Sequence, residues 1–200
     1  MVATKGGLER IGPGEWPVNG RPKHLKVAVN NSLRRLEVDQ IDLYQLHAPD
    51  PNVPLEDSIG ALEEMQDAGK IRHIGVSNFD VAQIETAREI VDVACVQNRY
   101  NLVDRDSEDV VDYCEEHGIG FIPWYPLNTG ELADDDRLAD IADNHDATPS
   151  QVALAWLLHR SPVMLPIPGT SSIEHLEENW EAREIALSAD EFGTLDGLVG

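Results

Sequence analysis

The sequence predicts an α/β fold built on a parallel sheet. Strand-like runs alternate with helical patterns along the chain, a representative run is apolar on both faces, and every run ends in a polar or amphipathic residue. The runs fall at 2–5, 41–47, 71–78, 94–100, 118–127 and 163–169. In "IDLYQLH" (41–47) both faces are largely apolar, as in a strand covered by protein on each side. Alternation with helices of about ten to fifteen residues is the pattern of βα units and a parallel sheet. No G-x-G-x-x-G follows the first run, and the glycines of "GPGEWPVNG" (12–20) sit in a loop with Trp and Pro. A doubly wound dinucleotide-binding sheet is therefore the weaker option. The alternative is a (β/α)8 barrel, whose site lies at the carboxyl ends of its strands.

The helical patterns carry their own punctuation. Residues 21–36 open on Arg21-Pro22, with proline in the first turn, and place Leu25, Val29, Leu33 and Leu36 on one face. Residues 55–69 repeat the pattern with Leu55, Ile59, Leu62 and Met65 and stop at Gly69. The pattern at 106–117 ends at Gly118, a C′ glycine by position. Two more helices are expected at 131–144 and 149–160, one from Ser171 or Ser172, and a last one from Ser188, where Glu191 completes a capping box.

Composition narrows the function. The chain has 200 residues, enough for one sizeable core, and its 37 acidic against 15 basic residues give a net charge of -22. Without a basic patch, binding to nucleic acid or an anionic membrane is not expected. The acidic residues are spread over many segments, as in halophilic proteins, so an acidic solvent face over an ordinary core is predicted. Cys95 and Cys114 form neither a disulfide framework nor a zinc motif and read as buried thiols. With no signal peptide pattern and no apolar stretch near eighteen residues, a cytoplasmic soluble protein is expected.

The six runs end in Lys5, His47, Ser77-Asn78, Gln97-Asn98, Trp124-Tyr125 and Gly169-Thr170. A structural barrel needs no such set, so the ends point to a ligand site. The stretches "TKGG", "SLRRLEVDQIDLYQLHAPD", "GKIRHIGVSNF", "VQNRYN", "FIPWYPL" and "IPGTSSIEHLEEN" resemble, in order, those of the aldo-keto reductases. The likeness is greatest to a microbial subgroup that includes pyridoxal-reductase-like proteins. It implies a (β/α)8 barrel and NAD(P)H-dependent reduction of a small aldehyde or ketone. Lys5 matches the family's catalytic lysine, whose positive charge favours the phenolate of a proton-donating tyrosine. His47 matches the family's histidine, which as a neutral imidazole donates a hydrogen bond to the substrate carbonyl.

The resemblance also implies the cofactor contacts. Ser77, Asn78 and Gln97 match residues that bind the nicotinamide carboxamide, and Trp124 the aromatic residue stacked on its ring. Tyr125, where serine is common, leads with Pro126 and Leu127 into the loop over the pyrophosphate. Gly169, Thr170, Ser171 and Ser172 form a strand-to-helix turn whose backbone N–H groups suit a phosphate. His175 stands where many relatives carry an arginine for the 2′-phosphate, which leaves NADPH as the expected cofactor and NADH as the alternative. Glu178 and Asn179 match residues that meet the adenine.

The family's aspartate and tyrosine precede the lysine strand and have no match here, and six runs fall short of the eight strands of a closed barrel. The expectation is a partial barrel over residues 1–200, its six βα units corresponding to the third to eighth strands. Its own reductase activity is in question, and a non-catalytic nucleotide-binding or subunit-type protein of the same fold is the alternative. Open sheet edges predict homo-oligomers. The acidic composition makes a separate prediction: thermal melts should move to higher temperature as KCl is raised to molar levels, and a salt-independent midpoint would refute salt adaptation.

Overall fold

The structure, a computed structural model, describes residues 1–128 and 135–198. It comprises two compact units, Met1–Gln97 and Asn98–Gly200.

The first unit is a set of βα repeats: β1 (Ala3–Gly6), α1 (Pro22–Leu36), β2 (Ile41–Leu46), α2 (Leu55–Asp67), β3 (Ile71–Ser77), α3 (Val81–Arg88) and β4 (Val93–Gln97). Its strands pair in chain order and all in parallel. The register is continuous from Lys5↔Gln45 to Gln45↔Gly75 and on to Gly75↔Cys95. A bulge at Ile74/Gly75 makes β4 skip one residue, so that Cys95 and not Ala94 lies opposite Gly75. Alternate residues face opposite sides of a sheet. Tyr44, Leu46, Ile74 and Val76 are buried, and so are Leu25 and Val29 of α1 and Ile59 and Leu62 of α2. Both helices pack on this sheet and on each other.

The helices follow their sequence signals with adjustments. Pro22 opens α1 as expected, but its buried stripe is Leu25, Val29 and Ser32, and Leu36 in the last turn is exposed. The chain carries a helix, α3, that the apolar periodicity does not announce. It is set by a capping box in which Asp80 accepts from the Gln83 backbone N–H at 2.8 Å and Gln83 accepts from the Asp80 N–H at 3.1 Å. Ile84 and Ala87 are its buried residues.

The second unit contains α4 (Glu108–His117), β5 (Gly120–Phe121), α5 (Asp136–Asn144), α6 (Pro149–Arg160), α7 (Ile173–Glu181) and α8 (Ala189–Asp196). Gly118 takes the left-handed conformation at the end of α4, and Ser188 and Glu191 form the capping box of α8, both as the sequence predicts. The predicted helix over 131–144 starts at Asp136; its positions 131–134 lie outside the described residues. Two predicted strands are much shorter than expected. The run 118–127 is a strand only over Gly120–Phe121, and 163–169 makes a single bridge, Phe121↔Met164. Prolines cause both losses: 123, 126, 162, 166 and 168 are all proline and cannot donate to a ladder. Trp156 of α6 is fully buried, stacked on Tyr100 at 5.9 Å and on Phe192 of α8 at 6.1 Å, with the Arg105 guanidinium 3.8 Å from its ring centre. Cys95 and Cys114 are buried thiols not joined in a disulfide, as expected. Among the described residues no helix is long and apolar enough to cross a membrane.

The cap of α3 makes a quantitative prediction. Asp80→Ala should cost about 1 kcal/mol of stability in urea titrations, and an unchanged midpoint would show that α3 is held by packing alone.

Candidate active site

In the first unit the parallel register sorts the polar residues of the strands into two rows on one face. The deeper row is Lys5, Gln45, Gly75 and Cys95, each in register with the next. Two residues further toward the carboxyl ends, on the same side, come His47, Ser77 and Gln97, with Ser77 and Gln97 in register. The sequence reading thus has four of its site residues, Lys5, His47, Ser77 and Gln97, on one surface.

Backbone contacts fix the upper row. The His47 N–H donates to the Gly6 carbonyl at 2.9 Å, and the His47 carbonyl accepts from Asn78 Nδ2 at 3.0 Å. Asn78 adopts a left-handed backbone with φ of 60°, a conformation asparagine tolerates better than most residues. Its N–H donates to the Gln97 carbonyl at 3.0 Å, and its side chain also donates to Ser77 Oγ at 3.2 Å. Asn78 therefore joins the ends of β2, β3 and β4, a bracing role that the sequence reading did not foresee.

Electrostatics distinguish the two basic groups. Burial lowers the Lys5 ammonium from its ordinary value, with Cys95 pulling in the opposite direction. Burial also lowers His47, and the positive charge of Lys5 lowers it further. The imidazole is thereby kept neutral at pH 7, the form able to donate one hydrogen bond while remaining uncharged. The one tyrosine of this unit, Tyr44, lies on the other face of β2. A Cβ on Gly6 would lie 2.2 Å from its hydroxyl, and burial pushes the phenol up to about 12, although Ser32 and Arg35 of α1 pull the other way.

In the second unit Trp124 is anchored by its N–H on the Asn98 carbonyl at 2.9 Å, while its own carbonyl accepts from the Tyr100 N–H. The Arg99 guanidinium stands 5.7 Å from the Trp124 ring centre and 5.0 Å from that of Tyr125, and it pairs with Asp104 at 2.7 Å. This contact was not legible in the sequence, because only the bridge between Arg99 and Trp124 brings the three side chains together. Tyr125 has a φ of 62°, and Asn101 Nδ2 donates to its carbonyl at 3.1 Å. Tyr125, Pro126, Leu127 and Gly169 line a cavity of about 390 Å³, which unites the predicted pyrophosphate loop with the start of the predicted phosphate turn.

That turn is already capped from within. Thr170 Oγ1 accepts from the Ser172 N–H at 3.0 Å, and Ser172 Oγ, the N-cap of α7, accepts from the His175 N–H at 3.3 Å. Ser171 and His175 are exposed, while Glu178 and Asn179 are half-buried. His175, Glu178 and Asn179 fall on one side of α7 by their spacing of three and four.

The donor set fits a nicotinamide. Ser77 and Gln97 are buried, carry both donors and acceptors, and stand side by side at strand ends, as a planar carboxamide requires. Four of the predicted cofactor residues line the second unit's cavity. Gln45 and Gly75 went unnoticed in the sequence, although a glutamine amid the apolar residues of "IDLYQLH" marks a face with polar business.

Comparison with known proteins supplies the family. The sequence profile described as the Aldo/keto reductase family matches residues 1–199. An uncharacterized oxidoreductase of Schizosaccharomyces pombe is 51% identical over 197 residues, covering 98% of this chain and 64% of that protein. Pyridoxine 4-dehydrogenase of Escherichia coli is 41% identical over 203 residues, covering 98% of this chain and 71% of that protein. The crystal structure of an aldo-keto reductase from Klebsiella pneumoniae in complex with NADPH superimposes with a TM-score of 0.79 at 35% identity, covering 86% of this chain and 63% of that one. This chain therefore spans less than two thirds of the yeast and Klebsiella proteins. Its parallel βα repeats are part of the (β/α)8 architecture that the likeness implied, and the chain belongs to the aldo/keto reductase family.

Proposed function

We propose that the protein is an NAD(P)H-dependent reductase of small aldehydes or ketones, with NADPH preferred. The observation that carries this reading is the common face of β1–β4, on which Lys5, His47, Ser77 and Gln97 are gathered. Ser77 and Gln97 would hold the nicotinamide carboxamide, and Tyr125, Pro126, Leu127 and Gly169 would border the pyrophosphate. The bound nicotinamide supplies hydride to the carbonyl carbon. His47, neutral through burial and the nearby Lys5 charge, donates a hydrogen bond to the carbonyl oxygen and orients it. Lys5 places positive charge where negative charge develops on that oxygen. Trp124, steadied by Arg99, offers a ring face for stacking.

A second reading, nucleotide binding without turnover, has one observation in its favour. The first unit's single tyrosine, Tyr44, faces away from Lys5 and is made a weaker acid by burial. It cannot serve as the proton donor that Lys5 would activate.

NADPH oxidation in the presence of pyridoxal separates the readings; the E. coli relative's name makes this aldehyde the first to try. Turnover that falls at least about a hundredfold in His47→Ala supports reduction, the scale expected of a lost electrostatic or proton-relaying group. Quenching of tryptophan fluorescence by NADPH, lost in Trp124→Phe, without turnover of any aldehyde supports the second reading. Neither turnover nor quenching would overturn both.

A further inference from the structure

Helix α7 turns its apolar residues to solvent. Ile173, Leu176 and Trp180 are 77%, 59% and 67% exposed, and no residue of the helix is buried. Their spacing of three and four sets them in one stripe. At about 100° per residue the stripe faces away from His175, Glu178 and Asn179, and Glu177 and Glu181 flank it. Trp180 holds the Arg183 guanidinium 3.9 Å from its ring centre and is exposed nonetheless. The helix carries Glu174, Glu177, Glu178 and Glu181 and no Lys or Arg. An apolar stripe with a charged border is the mark of a docking face.

A surface of the opposite sign exists in the first unit. Helix α1 and the loop after β1 enclose a groove of about 420 Å³. Ile11 and Val27 line it and are exposed. Arg10, His24 and Arg35 also line it, with Glu9 as the one carboxylate. Glu9 is already engaged, accepting from Asn19 Nδ2 at 2.6 Å and lying 3.1 Å from His24 Nδ1. The other ring nitrogen, His24 Nε2, is buried and has no partner. In a chain of net charge -22, this groove is a local inversion of sign.

We propose that the groove of one copy of this chain receives α7 of a second copy. Ile173, Leu176 and Trp180 would meet Ile11 and Val27, while Glu174, Glu177 and Glu181 would meet Arg10, His24 and Arg35. A helix in a groove is anchored in this way, by residues spaced i, i+3 and i+7. Complementary charge selects the occupant: two α7 stripes face to face would set four carboxylates against four. The two surfaces differ, so the contact is heterologous and closes into a ring or continues as a chain. It lies on helices and not on the sheet edges, and it uses no side chain assigned to substrate or cofactor.

The test is sedimentation equilibrium of the whole chain at physiological ionic strength, where a Debye length of about 8 Å damps distant repulsion and leaves contact charges active. Association should rise with concentration, and Trp180→Ala or Ile11→Asp should each weaken it by at least about tenfold. Both side chains are exposed, so neither substitution disturbs a core. Glu177→Arg should weaken it too, and adding Arg35→Glu in the same chain should return part of the loss. Mixing is the decisive arm. Trp180→Ala retains an intact groove and Ile11→Asp an intact α7, so together they should associate more strongly than either alone. A wild type that is monomeric at every concentration overturns the proposal. So does an Ile11→Asp or Glu177→Arg chain that associates like the wild type, or a mixture that does no better than its components.

Discussion

The candidate site depends on the register of four parallel strands, shifted by one residue between β3 and β4 at the Ile74/Gly75 bulge. In a parallel sheet every second side chain faces one way, so a fixed register turns residues distant in sequence into rows. Lys5, Gln45, Gly75 and Cys95 form one such row, and Ser77 and Gln97 belong to the next. A slip of one residue in β2 would send Gln45 and His47 to the helix-covered side and bring Tyr44 and Leu46 to the site. The buried residues of that other side, Tyr44, Leu46, Ile74 and Val76, are what oppose such a slip. The apolar packing behind the sheet and the polar chemistry in front of it are two consequences of one pairing.

Burial acts differently on the groups of the candidate face. For Lys5 and His47 it disfavours the charged form, and for His47 the neighbouring lysine adds to the effect. The imidazole stays neutral, while the lysine keeps a charge that the surroundings make costly. For Cys95 burial suppresses ionisation altogether at neutral pH, which suits a weak hydrogen-bond acceptor and not a nucleophile. Cationic, neutral and inert groups thus stand side by side in a few rows of one sheet.

Much of this was legible in the sequence, and the failures have physical causes. Strands β1–β4 and their polar ends could be read because their runs contain no proline. The later runs at 118–127 and 163–169 have the same composition, but their prolines remove the donors of a ladder. Helix α3 escaped notice because its periodicity is weak, although Asp80 and Gln83 carry the spacing of a capping box. The roles of Lys5 and His47 came from resemblance. What no sequence pattern revealed was register: the meeting of Gln45 and Cys95 through Gly75, the bracing of His47 by Asn78, and the approach of Arg99 to Trp124 all depend on which residues lie opposite each other.

The claim that Lys5 and His47 share one partly buried face is tested most directly by the NMR titration of His47 in the wild type and in Lys5→Met. The account predicts a His47 pKa below the ordinary 6.5 in the wild type and an upward shift, still short of that value, when the lysine charge is removed, since burial remains the larger cause. A wild-type value at or above 6.5, unmoved by Lys5→Met, would contradict it.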